Sequence, residues 1–353
     1  MAAPSLKKIA YHTLQQGKTL AGLAHKELST KLMEVFAPEA APGKFSFDRD
    51  LIKEVRRSIE NLENIDWKEA EAGIYPKSQL FEAPWLEWAK KYPLVWFDMP
   101  LTWQRRKKNK TREIPLDVNQ EDYPDYYLQN FHHQTDGYLS EHSAEIYDLQ
   151  VEILFYGTAD AMRRRVLSPL KTGLKKYLSD NSKKVKVLDI ATGTGRTLQQ
   201  IQSALPQVEL YGLDLSGSYL KQASKYLSSR SGDIVQLTKG NAEKMPFESA
   251  SFQALTCVFL FHELPREARQ NVLNECFRLL EPGGSLILAD SIQIEDSPKF
   301  TPIMESFHKI FHEPYYRDYI VDNINLRLEE SGFYSITSES HFMTKVWTAT
   351  KPF

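Results

Sequence analysis

Apolar and polar positions follow two regimes along the chain. From Leu6 to Phe36 the apolar residues Ile9, Ala10, Leu14, Leu20, Leu23, Ala24, Leu28, Leu32 and Val35 recur at helical spacing, which predicts one long helix with Gly17 and Gly22 as weak points. The stretch APEAAPGK then reads as a linker, and a second helix is expected behind the cap residue Asp48, running to about Asn64. Between Trp67 and Trp103 the residues Tyr75, Phe81, Trp85, Trp88, Tyr92, Trp96 and Phe97 crowd among several prolines. Such density can line an apolar pocket, but packing a small region is its commoner role. Ser143 to Leu178 is a long helical pattern, acidic at first, with the basic run Met162-Arg163-Arg164-Arg165 in its middle and a break expected near Ser168-Pro169.

From Val185 onward the regime changes to short apolar runs alternating with helical patterns. Val185, Val187, Leu188 and Ile190 fit a buried parallel strand that breaks into a Gly/Thr turn before the helix-like TLQQIQSAL. VELYGLDLS, DIVQLTKG, SFQALTCVFL and SLILADS read as further strands, with SGSYLKQASKYL as a helix that Ser216 can cap. Strand and helix in alternation call for a parallel sheet with helices on both faces. Phe300 to Tyr319 reads as a helix plus an aromatic turn, and GFYSIT and HFMTKVWTAT as terminal strands.

The turn after the first of these strands carries the candidate chemistry. Gly193 and Gly195 let the backbone turn sharply and expose main-chain N–H groups at a helix N-terminus, while Asp189 at the strand end can accept hydrogen bonds from a cationic or hydroxylated ligand. A dinucleotide-binding crossover shares this outline, but its fingerprint requires Gly-x-Gly-x-x-Gly, and the third position after Gly195 is Leu198. The stretch VKVLDIATGTGRT instead resembles the first motif of the class I S-adenosylmethionine-dependent methyltransferases. Ala191 stands where that motif has its first glycine, as in the ubiquinone/menaquinone-type (type 11) members. Asp214, about 20 residues further on, matches the acid that binds the ribose hydroxyls. Asn241-Ala242-Glu243 with Met245-Pro246-Phe247 resembles the family's acidic-Ala-x-x-x-Pro-Phe motif, Asn241 keeping the hydrogen-bonding capacity toward adenine without the charge. Leu280-Glu281-Pro282-Gly283-Gly284 resembles its LxPGG turn.

The resemblance implies a class I methyltransferase fold of Rossmann-like α/β type, a seven-stranded sheet with helices on both faces closed by an antiparallel hairpin. A mainly helical, aromatic-rich accessory region, residues 1–140, would precede the catalytic domain, 141–353. It implies S-adenosylmethionine as cofactor, held by Asp189, Ala191, Gly193, Gly195, Thr197, Asp214, Leu215, Asn241, Ala242 and Phe259. In this fold the end of the fourth strand faces the sulfonium and the acceptor, which singles out His262 as a general base and Glu263 as its orienter or as a contact to a polar acceptor. Helix capping is the structural alternative for both. Asp122 to Leu149 concentrates Tyr, His and Asp, and it resembles a segment preceding the first motif in a group of mainly cyanobacterial methyltransferase-like proteins. Phe131, His132 and Tyr138 are substrate-pocket candidates from it, with His133 a further catalytic candidate; Asp290 and His308 are expected to join them from the C-terminal half. A hydrogen-bonded structural pair is the alternative for His132 and His133. No metal site is read, because adjacent histidines point apart and no third ligand follows at a motif spacing.

Composition narrows the partners. A net charge of −2 over 353 residues gives no pull toward nucleic acid. The Asp/Asn-Pro-Pro-Tyr motif of nucleic-acid amino-methyltransferases is missing from the end of the fourth strand. The run Arg105 to Arg112 reads as a solvated loop. Cys257 and Cys276 fall in apolar patterns as buried thiols. There is no spanning apolar run and no signal-peptide core, so the cytoplasm is the expected location, with peripheral membrane contact left open. The expected partner is a small-molecule acceptor, of aromatic, quinone-like or isoprenoid type. A polar metabolite methylated on O or N, or a non-catalytic module that binds the cofactor, are the alternatives.

Overall fold

The computed structural model describes residues 5–41, 48–179, 184–229, 232 and 234–353. Part of the expected linker, Pro42 to Lys44, and Asp233 at the start of DIVQLTKG lie outside the described residues.

Seven strands form one sheet in the order β3-β2-β1-β4-β5-β7-β6. The strands are β1 (Lys186–Ile190), β2 (Glu209–Asp214), β3 (Gln236–Lys239), β4 (Phe252–Val258), β5 (Leu280–Ser291), β6 (Tyr334–His341) and β7 (Thr344–Thr350). The first five are parallel, and β7 runs antiparallel to both β5 and β6. This is the expected doubly wound sheet with its closing hairpin. Every residue of β4 is buried, as a strand covered on both faces must be. Strand order reverses between β1 and β4, so the carboxyl ends of these two strands open the crevice where such sheets bind ligands. The Leu280–Gly284 turn is absorbed into β5 as a register shift opposite Phe252 and Ala254, with Gly283 at φ 75°.

Helices within this half are α7 (Arg196–Ala204), α8 (Gly217–Ser228), α9 (Arg266–Leu279), α10 (Thr301–Ile310), α11 (Tyr316–Tyr319) and α12 (Ile324–Glu330). Ahead of them come α1 (Leu6–Phe36), α2 (Arg49–Glu71), α3 (Trp85–Lys108), α4 (Glu141–Leu154), α5 (Ala159–Arg163) and α6 (Leu167–Leu178).

Three expectations for this first half need correction. α1 has the expected limits, yet Ile9, Leu20, Leu23, Leu28 and Val35 are exposed, while Tyr11, Gln15, Gly22, His25 and Met33 face inward. Polar ties set that orientation: Lys18 pairs with Glu152 at 2.7 Å, and Gly22 packs so closely on the end of α4 that a Cβ there would lie 3.2 Å from the Ile153 carbonyl oxygen. α2 starts behind Asp48, whose Oδ1 accepts from the Leu51 N–H at 2.6 Å, but it continues past Asn64 to Glu71. The long helical pattern breaks first at Tyr156 and Gly157, both at positive φ, and again at the tighter turn Arg164–Val166 just ahead of the expected Ser168-Pro169, with Pro169 in the first turn of α6 where a missing N–H costs little.

The aromatic segment Trp67–Trp103 packs in part, while Phe81, Trp85, Tyr92 and Phe97 are exposed. Trp67 and Tyr75 are buried in the same apolar cluster as β1 residues, and Trp88 packs with Val95 against Ile146 and Leu149 of α4. Arg105, first of the basic run, is buried and donates to the His133 carbonyl. Both cysteines are buried and free. No helix among the described residues is long and apolar enough to cross a membrane.

Candidate active site

The cleft at the switch point is floored by the turn after β1. Ala191, Gly193 and Gly195 stand at φ 55°, 56° and 83°, a left-handed conformation that strains alanine by about 1 kcal/mol and glycine not at all. The turn is tied down from two sides. Thr192 N–H donates to the Leu213 carbonyl at 3.0 Å, and Gly193 N–H donates to Asp214 Oδ2 at 2.8 Å. Asp214 also accepts from Ser216 N–H at 2.8 Å, yet burial outweighs these bonds and, with help from nearby Glu263, pushes its carboxyl up to about 6. Ser216 caps α8, as expected.

Asp189 lies beneath this floor. It is 1% exposed and accepts from Thr256 Oγ1 at 2.6 Å and Thr192 Oγ1 at 2.7 Å, locking the turn to β4. Burial pushes its carboxyl up to about 7, against the pull of both hydroxyls. Gly195 also faces inward, since a Cβ there would meet Ala223 of α8 at 3.2 Å. Ala191, Gly193, Thr197, Asp214, Leu215, Asn241, Ala242 and Phe259 do line the cleft.

At the end of β4, Phe259 takes φ 59° and Phe155 stacks on it with ring centres 6.3 Å apart. The following turn carries a chain of charged groups. Asp290, fully buried, accepts from Phe261 N–H and lies 2.6 Å from His262 Nδ1. Burial opposes a charge on His262, but Asp290 overrides it and raises the imidazole to about 9. His262 does not line the cleft; Glu263 does, and it accepts a hydrogen bond from the Tyr138 hydroxyl. His132 Nε2 lies 2.9 Å from Glu313 Oε1 and 3.7 Å from Glu263 Oε1. Burial again opposes the charge, and the two carboxylates raise this imidazole to about 10.

The segment before α4 roofs the cleft with Tyr126, Tyr127 and Tyr138, joined by Tyr147 of α4 and Tyr219 of α8. It is stitched to the sheet: Tyr126 hydroxyl donates to Glu243 at 2.6 Å, and Ser216 Oγ donates to the Tyr138 carbonyl at 2.6 Å. Phe131 sits behind the roof, stacked on Tyr138 at 5.4 Å. His133 points away from the cleft, with its ring 5.9 Å from that of His312; burial, then His312 and Arg106, lower it to about 4. His132, Asp290 and His308 also lie outside the lining. Arg163 and Arg196, neither of them among the candidate residues above, add cationic groups to the wall. Asp160 holds both, and Arg196 is sandwiched between Trp88 and Tyr226 at 5.6 and 5.2 Å. The Met-Arg-Arg-Arg run was the available signal for Arg163. Tyr126 and Tyr127 belonged to the segment singled out for its Tyr and His density, whereas Glu313 had no signal at all.

A family model described as "Methyltransferase domain" matches residues 187–284. Demethylmenaquinone methyltransferase of Thermotoga maritima is 34% identical over 170 residues, which are 48% of this chain and 67% of that protein. The ubiquinone/menaquinone biosynthesis C-methyltransferase UbiE of Rhizobium etli is 27% identical over 222 residues, covering 58% of this chain and 80% of that protein. Among solved structures, human N-acetylserotonin methyltransferase in complex with S-adenosylmethionine aligns at 13% identity and a TM-score of 0.46, covering 61% of this chain and 57% of that one. The cyanobacterial likeness of the N-terminal segment has no support in these relatives.

Proposed function

Since the chain belongs to the class I S-adenosylmethionine-dependent methyltransferases of the ubiquinone/menaquinone type, we propose that its acceptor is a small hydroxylated aromatic or quinone-like molecule and that Glu263 binds it. The cofactor supplies an electrophilic methyl group on a sulfonium. The residues that would hold it are the Gly193 turn, Asp214 for the ribose hydroxyls, Leu215 beside them and Asn241 for the adenine edge, and the tyrosine roof suits a cationic ligand. The paired lone pairs of Asp214, facing the cleft from the end of β2, fit that group.

One observation carries the acceptor assignment: Glu263 is the acid of the β4 turn that reaches the cleft, and the Tyr138 hydroxyl already fixes it. Its role is to accept a hydrogen bond from an acceptor hydroxyl and take the proton as electron density moves toward the methyl group. His262, charged through Asp290, steadies Glu263 from 3.8 Å and is not the base. The rest is alignment and exclusion of water, which the aromatic roof provides. Two relatives, one named for demethylmenaquinone and the other for ubiquinone/menaquinone biosynthesis, support a quinone-like acceptor.

Label transfer tests this reading. Protein incubated with methyl-labelled S-adenosylmethionine and a cell extract should place label in the organic phase, and an Asp214→Ala control should not. Label in aqueous small molecules alone would replace the quinone-like acceptor with a polar metabolite. Label in macromolecules would overturn the small-molecule reading.

A further inference from the structure

Two side chains from distant parts of the chain converge on Glu263. His132 comes from the turn Phe131–His133, Glu263 from the turn after β4, and Glu313 from the loop between α10 and α11. Their ligand atoms all lie within 4.8 Å of one another. Glu313 is the telling member. Its side chain has no solvent exposure, and among the described residues neither of its oxygens has a hydrogen-bond donor in good geometry; its nearest contact is His132 Nε2 at 2.9 Å. A carboxylate held out of water is stable beside a positive charge, which a protonated His132 or a metal ion in its place can supply.

We propose that His132, Glu263 and Glu313 form a divalent metal site at the acceptor end of the cleft. Two carboxylates and a neutral imidazole give a net charge of −2, which a divalent ion balances. One nitrogen and two oxygens suit ions of the Mn²⁺, Fe²⁺ and Zn²⁺ group better than Mg²⁺ or Ca²⁺, which prefer all-oxygen sets. The proton on His132 leaves to solvent as the ion enters. Tyr138 donates to Glu263 and so fixes the orientation of one ligand. Three protein ligands leave coordination positions open, and Glu263, the one of the three that lines the cleft, links the site to the acceptor space. The ion would then bind an acceptor oxygen and favour its deprotonated form, the proton passing to the Glu263 oxygen that does not hold the ion, which narrows the acceptor to one with an oxygen that can reach a metal. This last step rests on the methylation reading above; the site itself does not.

The test uses the full chain, stripped with a chelator and titrated with Mn²⁺, following the free ion by electron paramagnetic resonance, and with Zn²⁺ by calorimetry. S-adenosylmethionine binding is measured in parallel. We expect one ion per chain. Glu313→Gln and His132→Asn should each weaken binding at least tenfold with cofactor affinity and thermal unfolding retained, and Glu305→Gln, on the exposed side of α10, should change nothing. A wild-type chain that binds the cofactor but neither ion overturns the site and leaves the methyl-transfer reading standing. Ion binding that both variants retain at wild-type strength also overturns it. Ion binding without label transfer to any acceptor does the reverse, sinking the acceptor reading and keeping the site.

Discussion

Asp214 has two hydrogen bonds from the backbone, at Gly193 and Ser216, and a carboxyl raised to about 6 by burial. Only its ionised form can accept from a pair of ribose hydroxyls. S-adenosylmethionine affinity should therefore hold from pH 8 to about 6 and weaken below that by up to about tenfold per pH unit, as read by calorimetry across pH. Asp214→Ala should abolish that slope and weaken binding at pH 7.5 by 1.5–3 kcal/mol, roughly 10- to 150-fold. Asp189 behaves differently, because its side-chain hydrogen bonds among the described residues go to Thr192 and Thr256 under the turn. Its carboxyl, raised to about 7 in the fold, binds a proton there that the unfolded chain has already released above its ordinary value of 3.8. Wild-type stability relative to Asp189→Asn should fall as pH rises from about 4 to about 7 and be flat above, measured by urea unfolding of both proteins. At this scale the sequence made the floor of the site legible, since glycines and acids at a fixed spacing after a strand have few other uses. It did not separate Asp189, which supports the turn, from Asp214, which faces the cleft, because burial depends on which face of the strand end each side chain takes.

Among the elements, α2 and the α5–α6 junction are joined by one buried charge cluster. Asp66 accepts from Arg164 Nε at 2.8 Å, from Arg165 at 2.5 Å, and from the Tyr11 and Tyr75 hydroxyls, each at 2.7 Å. Burial opposes this charge, but the two guanidinium groups prevail and lower the carboxyl to about 2. Asp66→Asn would leave two buried arginines undercompensated, so it should cost about 3–5 kcal/mol in urea unfolding. The wild-type contribution is present above pH 3.8 and is lost as pH falls from 3.8 toward 2. None of this was visible in the helical periodicity. Periodicity located α1 to the residue, yet it assigned the wrong face, because polar ties from Lys18 and the close approach at Gly22 orient that helix in place of its leucines. The break at Tyr156–Gly157 was missed for a related reason: proline is an obvious breaker, whereas a left-handed tyrosine before a glycine is not.

Over the whole molecule, the expected division at residue 140 does not separate two cores. Leu51, Ile59 and Leu62 pack in one cluster with β1, β4 and β5 residues, and Tyr11 and Trp67 pack in another with strand residues. A chain shortened to 141–353 should consequently lose cooperative unfolding and bind a hydrophobic dye, whereas limited proteolysis of the full chain should leave the Leu139–Glu141 junction uncut. That long-range dependence has no sequence motif, and the class I pattern begins only at Val185. The tyrosine roof has a consequence for the pace of turnover. Tyr126, Tyr127 and Tyr138 reach the cleft from a segment anchored at Glu243, Ser216 and Glu263, and we predict that the demethylated cofactor leaves faster when that segment swings aside. If release limits turnover, kcat should fall as glycerol thickens the solvent, and cutting the Glu243 anchor with Tyr126→Phe should speed the cycle.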